Sequence, residues 1–418
     1  MSQKLGPPQG VFLVLGLVIA LNYVDRSSLS TAAPVLQEEL SLSNARMGML
    51  FSAFFWAYTP AQLLGGWLVH RFDVRWVLAA GVILWSAATG LTGLAHGFAT
   101  IFALRLLLAL GECVTFPSWQ LVVSRSTFEH ERGRANGFIG SFQGIGPMLG
   151  TLLGGLAMAR FGWRAMFLGL GLITLLWLWP WFAVTRRGLA QGGEQHGLGA
   201  VSYAAVLRRR EFWGAALGHF SMNYGFYFVF SWLPAFLVKA GGFTVSEMSG
   251  IAAAIYGVYA ASAALSGLLA DRQISRGSSA TRVRKAYLLA GAIGVAATTA
   301  CSAYVEPRAT VWLLGGAGFF FGFLTSAGFA VTSTLAGPRA AGRWAAAQNV
   351  AGQLAGAFAP LVTGVIVDRT GSFSWAFVVA AVWAVVAMFA YGILIRRVET
   401  VQWQQGVADG LLAPEPAA

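Results

Sequence analysis

Charge is scarce in this chain: Asp, Glu, Lys and Arg together make up 11% of its 418 residues, where a soluble domain carries about 25%. Too little polar surface is available to solvate a globule of this length, and with 57% hydrophobic residues and a mean hydropathy of +0.65 the composition is that of an integral membrane protein. Cysteine is scarcer still. Cys113 and Cys301 both fall in apolar stretches, which excludes a disulfide framework and a thiolate metal site. The chain also lacks a Walker-type phosphate loop, a His/Glu or Cys/His cluster at zinc spacing, and a G-x-S-x-G nucleophile turn, so ATP-driven, metal-dependent and serine-hydrolase readings have no residues to stand on, and no cofactor or metal is expected. His70, His96, His130, His196 and His219 are dispersed.

What the chain has in abundance is apolar runs. A membrane-spanning helix needs about 20 mainly apolar residues, and windows of that size between charged or Pro/Gly-rich breaks predict twelve. They lie near 10–35, 46–69, 74–95, 98–124, 135–159, 163–185, 213–238, 246–270, 284–304, 310–335, 342–367 and 373–395. Lys4, the first apolar run and the small residues Ala32 and Ala33 imitate a cleaved secretory signal, but Asp25 and Arg26 interrupt that run and more membrane follows.

The net charge of +12 does not indicate nucleic acid, because the basic residues are sorted by membrane side. The runs Arg208–Arg210 and Arg282–Lys285, with Arg71, Arg75, Arg396 and Arg397, share one side. Arg46, Arg160, Arg164, Lys239, Arg308 and Arg369 make a sparser set on the other. The positive-inside rule then places both termini in the cytoplasm of a multi-pass protein.

Two halves are visible. The polar stretch around Gly192, Glu194 and Arg208–Arg210 follows the sixth span, and GGWLVHRF at Gly65–Phe72 is echoed by SGLLADRQ at Ser266–Gln273. Pro147, Arg160 and Trp163 around the fifth span are likewise echoed by Pro360, Arg369 and Trp375 around the eleventh. The expected division is a six-helix bundle at 1–185, a cytoplasmic linker at 186–212, a second six-helix bundle at 213–396 and a cytoplasmic tail at 397–418. Such repeats put a substrate site between the halves near the midplane. Glycines four apart in the fifth and eleventh spans (Gly140 and Gly144; Gly352 and Gly356) are read as close-packing positions.

Four charged residues lie deep in the spans: Asp25, Arg26, Arg105 and Glu112. Each costs a few kcal/mol to insert, roughly 2.5 to 3.5 on the lenient scales, so they are expected to be partnered, functional and to line a cavity. Arg105 and Glu112 are seven residues apart and share one helix face, about 10 Å apart along the axis. Burial disfavours a charged carboxylate and a neighbouring Arg favours it, so Asp25 and Glu112 can exchange protons as an Arg is engaged or released. Arg26 can fork onto a carboxylate and is the candidate grip for an anionic substrate. A static ion-pair network is the alternative. Tyr58 and Gln143 in the first half, and Asn223, Tyr224, Tyr227, Ser326, Gln348, Asn349 and Gln353 in the second, are candidates for reading hydroxyls, or else interhelical glue.

The chain resembles the major facilitator superfamily, and within it the anion:cation symporters that include bacterial hexonate, hexuronate and glucarate transporters. GLLADR at Gly267–Arg272 matches the superfamily loop pattern, and the first copy, with Gly66 and Arg71, departs from it at His70 and Asp73. The narrower resemblance rests on NYVDRSSLSTAAP, FFWAYTPAQLLGGWL, RLLLALGECVTFPSW and SFQGIGPMLGTLLGG. It implies proton-coupling carboxylates at Asp25 and Glu112, a substrate ligand at Arg26, and Arg105 as their electrostatic partner. Further substrate contacts are implied at Tyr58, Gln143, Ser326 and Asn349, with Gly66, Arg71, Gly267, Asp271 and Arg272 in gating loops. The expected protein is an all-α, twelve-helix transporter of two pseudo-symmetric bundles in a bacterial inner membrane. It would import a small organic anion such as a sugar acid with protons, as a monomer. A proton-coupled drug exporter and a non-transporting membrane sensor are the other classes this fold could serve.

Overall fold

The computed structural model describes residues 10–126, 132–186 and 201–403; linker residues 187–200 and the end of the tail lie outside the described residues. Helices follow one another as α1 (Gly10–Glu39), α2 (Asn44–Arg71), α3 (Val74–Thr92), α4 (Phe98–Glu112), α5 (Thr115–Ser126), α6 (Arg132–Leu176), α7 (Leu178–Val184), α8 (Tyr203–Leu207), α9 (Arg210–Lys239), α10 (Val245–Ser275), α11 (Ala280–Ser302), α12 (Pro307–Thr370) and α13 (Ser374–Phe389). Eight stretches are long and apolar enough to cross a membrane on length and composition alone. One of them, Ser141–Val184, turns at Gly162 (φ 80°) and holds two crossings. With α2, α9 and α11 they make twelve among the described residues, and the crossings coincide with the windows read from the sequence to within a few residues.

The two-fold repetition reaches into the caps. Ser43 accepts the Arg46 N–H at the start of α2, and Thr244 accepts the Glu247 N–H at the start of α10 while the Glu247 carboxylate takes the Thr244 N–H. Pro34 lies one turn and a half before the end of α1, and Pro234 occupies the same place in α9. Gly162 and Gly371, both in the left-handed region that disfavours other residues, turn the chain between the last two crossings of each half. Asp73, which departs from the superfamily loop pattern, serves its own helix: the carboxylate caps α3 by accepting the Arg75 N–H at 2.9 Å.

Large side chains on the outer faces, including Leu172, Trp179 and Trp312, are more than half exposed, which suits lipid rather than water. Between the bundles the core is aromatic. Phe51 of α2 meets Trp232 of α9 edge-on at 5.6 Å, and Phe55 meets Tyr227 at 4.5 Å. At the end of the molecule remote from the two ends of the described chain, the halves are joined directly. The Asp368 carboxylate of α12 accepts the Asn44 N–H (2.9 Å), the Asn44 side-chain amide (2.9 Å) and the Ala45 N–H (2.7 Å), an acidic plug on the positive N-terminus of α2. Trp232 donates its indole N–H to Pro360 O at 3.0 Å. The backbones approach so closely that a Cβ on Gly48 would stand 2.5 Å from Pro360 O.

This far-end closure is testable by thiol access. In a Cys301→Ser background, a cysteine introduced by Phe51→Cys is expected to react slowly with a membrane-impermeant maleimide. Asp368→Ala, which removes charge-assisted bonds from a partly exposed site, should speed labelling on the order of tenfold. Unchanged labelling would show that Asp368 does not hold the closure.

Candidate functional site

The sequence builds the site by breaking a helix. Pro117 cannot donate to the carbonyl four residues back and clashes with it, so α4 ends at Glu112 and α5 starts at Thr115. The freed Cys113 carbonyl is accommodated by Gly65 of α2, whose Cβ would lie 2.5 Å from it. Gly111 lies equally tight on α3, at the Trp85 N–H and Gly81 O. Glu112 is thereby fixed, with no exposed surface, at the centre of the N-terminal bundle.

There Arg26 Nε donates to Glu112 Oε2 at 2.7 Å, with both side chains buried. The guanidinium carbon lies 4.5 Å from the Phe54 ring centroid, 4.6 Å from Tyr58 and 5.1 Å from Tyr23, a cation held among π faces. The Arg105 guanidinium carbon, on a side chain 6% exposed, lies 5.6 Å from the centroid of the same Phe54 ring. Asp25 completes the group and is 1% exposed. Two carboxylates and two guanidiniums are formally neutral together, which is the condition for burying them.

The adjacent Asp25 and Arg26 part company. Arg26 turns to α2 and α4, while the side chains acting on Asp25 are Glu112 and Arg105 of α4 and Trp85 and Thr89 of α3. Asp25 therefore does not line the space between the halves, as its sequence context suggested, but sits inside the N-terminal bundle. Both its oxygens, Arg105 Nε and Glu112 Oε1 are buried without a hydrogen-bond partner, so the cluster holds unused bonding capacity.

Across the interface, Tyr227 of α9 shares its electrostatic surroundings with Arg26, Tyr23, Tyr58 and Tyr259 of α10. Tyr227 OH donates to Gln353 Oε1 at 3.4 Å, and Tyr259 and Thr325 hydroxyls meet at 3.3 Å. Phenols from both halves, Tyr23, Tyr58 and Tyr227, thus act on the buried Arg26. Asn349 Nδ2 donates to Gln62 Oε1 at 3.2 Å and ties α12 to α2. Gln143 is half-buried on α6, beside Gly144, whose Cβ would touch Ala260 of α10. Ser326 is half-buried and its hydroxyl faces α10, where a Cβ on Gly267 would stand 2.8 Å from it. Gln348 is used as glue, bonded to Thr332 and Trp344. His219 packs on Gly352. Arg71, Asp271 and Arg272 are exposed at helix ends and, among the described residues, take no part in an ion pair, while Gly66 faces open space.

Sequence reasoning missed Tyr23, Tyr259 and Gln62. Tyr23 could have been found from its place three residues before Arg26, within one helical turn. Tyr259 carries no signal but its polarity in an apolar span.

Residues 15–281 match the family described as Major Facilitator Superfamily. The chain belongs to that superfamily of membrane transporters. It is 29% identical over 423 residues to the Probable galactarate/D-glucarate transporter GudP of Bacillus subtilis (strain 168), covering 94% of this chain and 92% of the relative. It is 30% identical over 406 residues to the Probable L-galactonate transporter of Escherichia coli (strain K12), covering 92% and 88%. Among solved structures, a bacterial homologue of the human lysosomal transporter Spinster, inward-facing and occupied, aligns with a TM-score of 0.77 at 20% identity, over 93% of this chain and 96% of the other, a likeness of fold. The superfamily chain is thus a multi-pass membrane transporter and not an enzyme.

The ion pair is expected to show strong energetic coupling. In a double-mutant cycle on thermal unfolding in detergent, Arg26→Met and Glu112→Gln each leave a buried group unpaired and should destabilise by about 3 to 5 kcal/mol. The double variant should cost much less than their sum. Additive losses would show that the two do not interact in the folded protein.

Proposed function

We propose that the protein is a proton-coupled symporter that takes up a small organic anion, a sugar acid or related carboxylate, by alternating access across a bacterial inner membrane with both termini cytoplasmic. The observation that carries this reading is the 2.7 Å Arg26–Glu112 pair inside a neutral four-charge cluster. An incoming carboxylate competes with Glu112 for Arg26, and a displaced Glu112 cannot remain charged in that setting without a new partner, so it takes a proton. Substrate and proton then load together. Arg105 balances whichever of Asp25 and Glu112 is charged, and Asp25, one residue from Arg26, is the second proton carrier.

The hydroxyl-bearing part of the substrate would meet the phenols of Tyr58, Tyr227 and Tyr259 and the amides of Gln143 and Asn349, with Ser326 reached through α10. The relatives' names, galactarate, D-glucarate and L-galactonate transporters, support an anion rich in hydroxyls. The two bodies that rock would be 1–185 and 213–396, joined by 186–212, with 397–418 as a tail and a single chain sufficing in the bilayer. Gly66, Arg71, Gly267, Asp271 and Arg272 would belong to the inner gate, and the Asp368–α2 closure would be the outer one, shut here. Two central arginines oppose export of lipophilic cations.

The test is thermal stabilisation of the purified protein by hexonates, hexuronates, aldarates and simple carboxylates, followed by uptake into proteoliposomes. A sugar acid should raise the melting temperature by mass action, and Arg26→Ala should abolish that rise. Asp25→Asn and Glu112→Gln should lose accumulation driven by a pH gradient while retaining substrate exchange. Full accumulation by both carboxylate variants would overturn the coupling.

A further inference from the structure

Asp25 is buried beside two side chains of α3, Trp85 and Thr89, whose Nε1 and Oγ1 are inaccessible and fall short of hydrogen-bond geometry. Trp119 Nε1, Thr115 Oγ1 and Thr151 Oγ1 are buried and unbonded as well, and what sets Trp85 and Thr89 apart is that they act on a carboxylate. The buried indoles of Trp177, Trp181, Trp232 and Trp344 each donate to an oxygen. A helical threonine deprived of other partners donates to the carbonyl one turn back, as Thr92 does to Ala88 O at 2.8 Å; Thr89, on the same helix, forgoes that bond. Trp85 and Thr89 are four residues apart, on one face of α3, and they are the two side-chain donors directed at Asp25. Unsatisfied buried donors are destabilising by about 1 to 3 kcal/mol each, so a pair of them facing an unsatisfied carboxylate points to a second arrangement in which the bonds close.

We propose that Trp85 and Thr89 are the positioning residues of a proton site at Asp25, an N–H and an O–H that close on the carboxylate when it gives up its proton and relax when it is reprotonated. The charged groups facing Asp25 are Arg105 and Glu112 of α4. α3 presents neutral donors there, and α6, on another side of α1, presents Gly146 and Gly150 against Tyr23, Val24 and Ser27. The donors thus supply the partner that Asp25 lacks while Arg105 is drawn to Glu112 or Arg26 is drawn to substrate. The inference rests on the proton-coupling reading of Asp25 given above, and assigns to α3, which the sequence left without a role, control of when that proton is released.

Infrared difference spectra of the purified full-length protein, recorded while pH is stepped, test this without knowledge of the substrate. A carboxylic C=O band that titrates in the wild type and disappears in Asp25→Asn reports the Asp25 midpoint. Trp85→Phe and Thr89→Val each remove a donor from the charged form, so each should move that midpoint upward by about one pH unit, and Thr89→Ser should restore it. A midpoint unmoved in both donor variants, with the Asp25 band intact, would overturn the cradle alone. Absence of any Asp25-dependent titrating band would overturn the proton-site reading together with it. Circular dichroism melts identify a variant that fails to fold, and Thr89→Ser then carries the comparison: with its hydroxyl kept it must titrate as wild type, and a shift there contradicts the proposal.

Discussion

One buried ion pair, Arg26 with Glu112, sets the terms for the rest of the molecule. Neither partner is tolerable in a membrane interior by itself, and the pair is tolerable only within a neutral set and among groups that can take up the remaining bonds. The surrounding structure supplies those conditions. Pro117 ends α4 so that Glu112 stands at the break, Gly65 and Gly111 let α2 and α3 come in close, and both guanidiniums lie near the Phe54 ring, at 4.5 and 5.6 Å from its centroid. The glycines shape the site by what they leave out.

The same pair explains why a substrate could move the protein. A network in which every bond is made has nothing to gain from a ligand. Here the second Glu112 oxygen, both Asp25 oxygens and Arg105 Nε are buried and unmade, so a carboxylate or a proton arriving at the cluster alters a balance that is already incomplete. The phenols of Tyr23, Tyr58, Tyr227 and Tyr259 come from both halves. A change at Arg26 is thus felt across the interface, where Gln62–Asn349 joins the bundles and Tyr227, held by Gln353, faces the N-terminal half.

Much of this was legible in the sequence because the membrane makes the code simple. Apolar runs of fixed length gave the twelve crossings, and intramembrane charge singled out Asp25, Arg26, Arg105 and Glu112, which do meet. What could not be read was direction. Asp25 and Arg26 are neighbours in sequence, yet a rotation of about 100° per residue sends them to different helices, and only packing decides which one faces the interface. Ser326 and Gly267 were separate candidates, one for binding and one for gating, and they touch. Tyr259, Gln62, Trp85 and Thr89 had no sequence signal because their significance lies in what tertiary structure sets beside them.

The central claim is that anion and proton bind as one event at this cluster. The most direct measurement is the number of protons taken from weakly buffered solution when galactarate or L-galactonate, whichever stabilises the purified protein, is added near neutral pH. Coupling through Glu112 and Asp25 predicts net proton uptake on binding, reduced in Glu112→Gln and in Asp25→Asn. Saturating, stabilising binding with no proton uptake would contradict it.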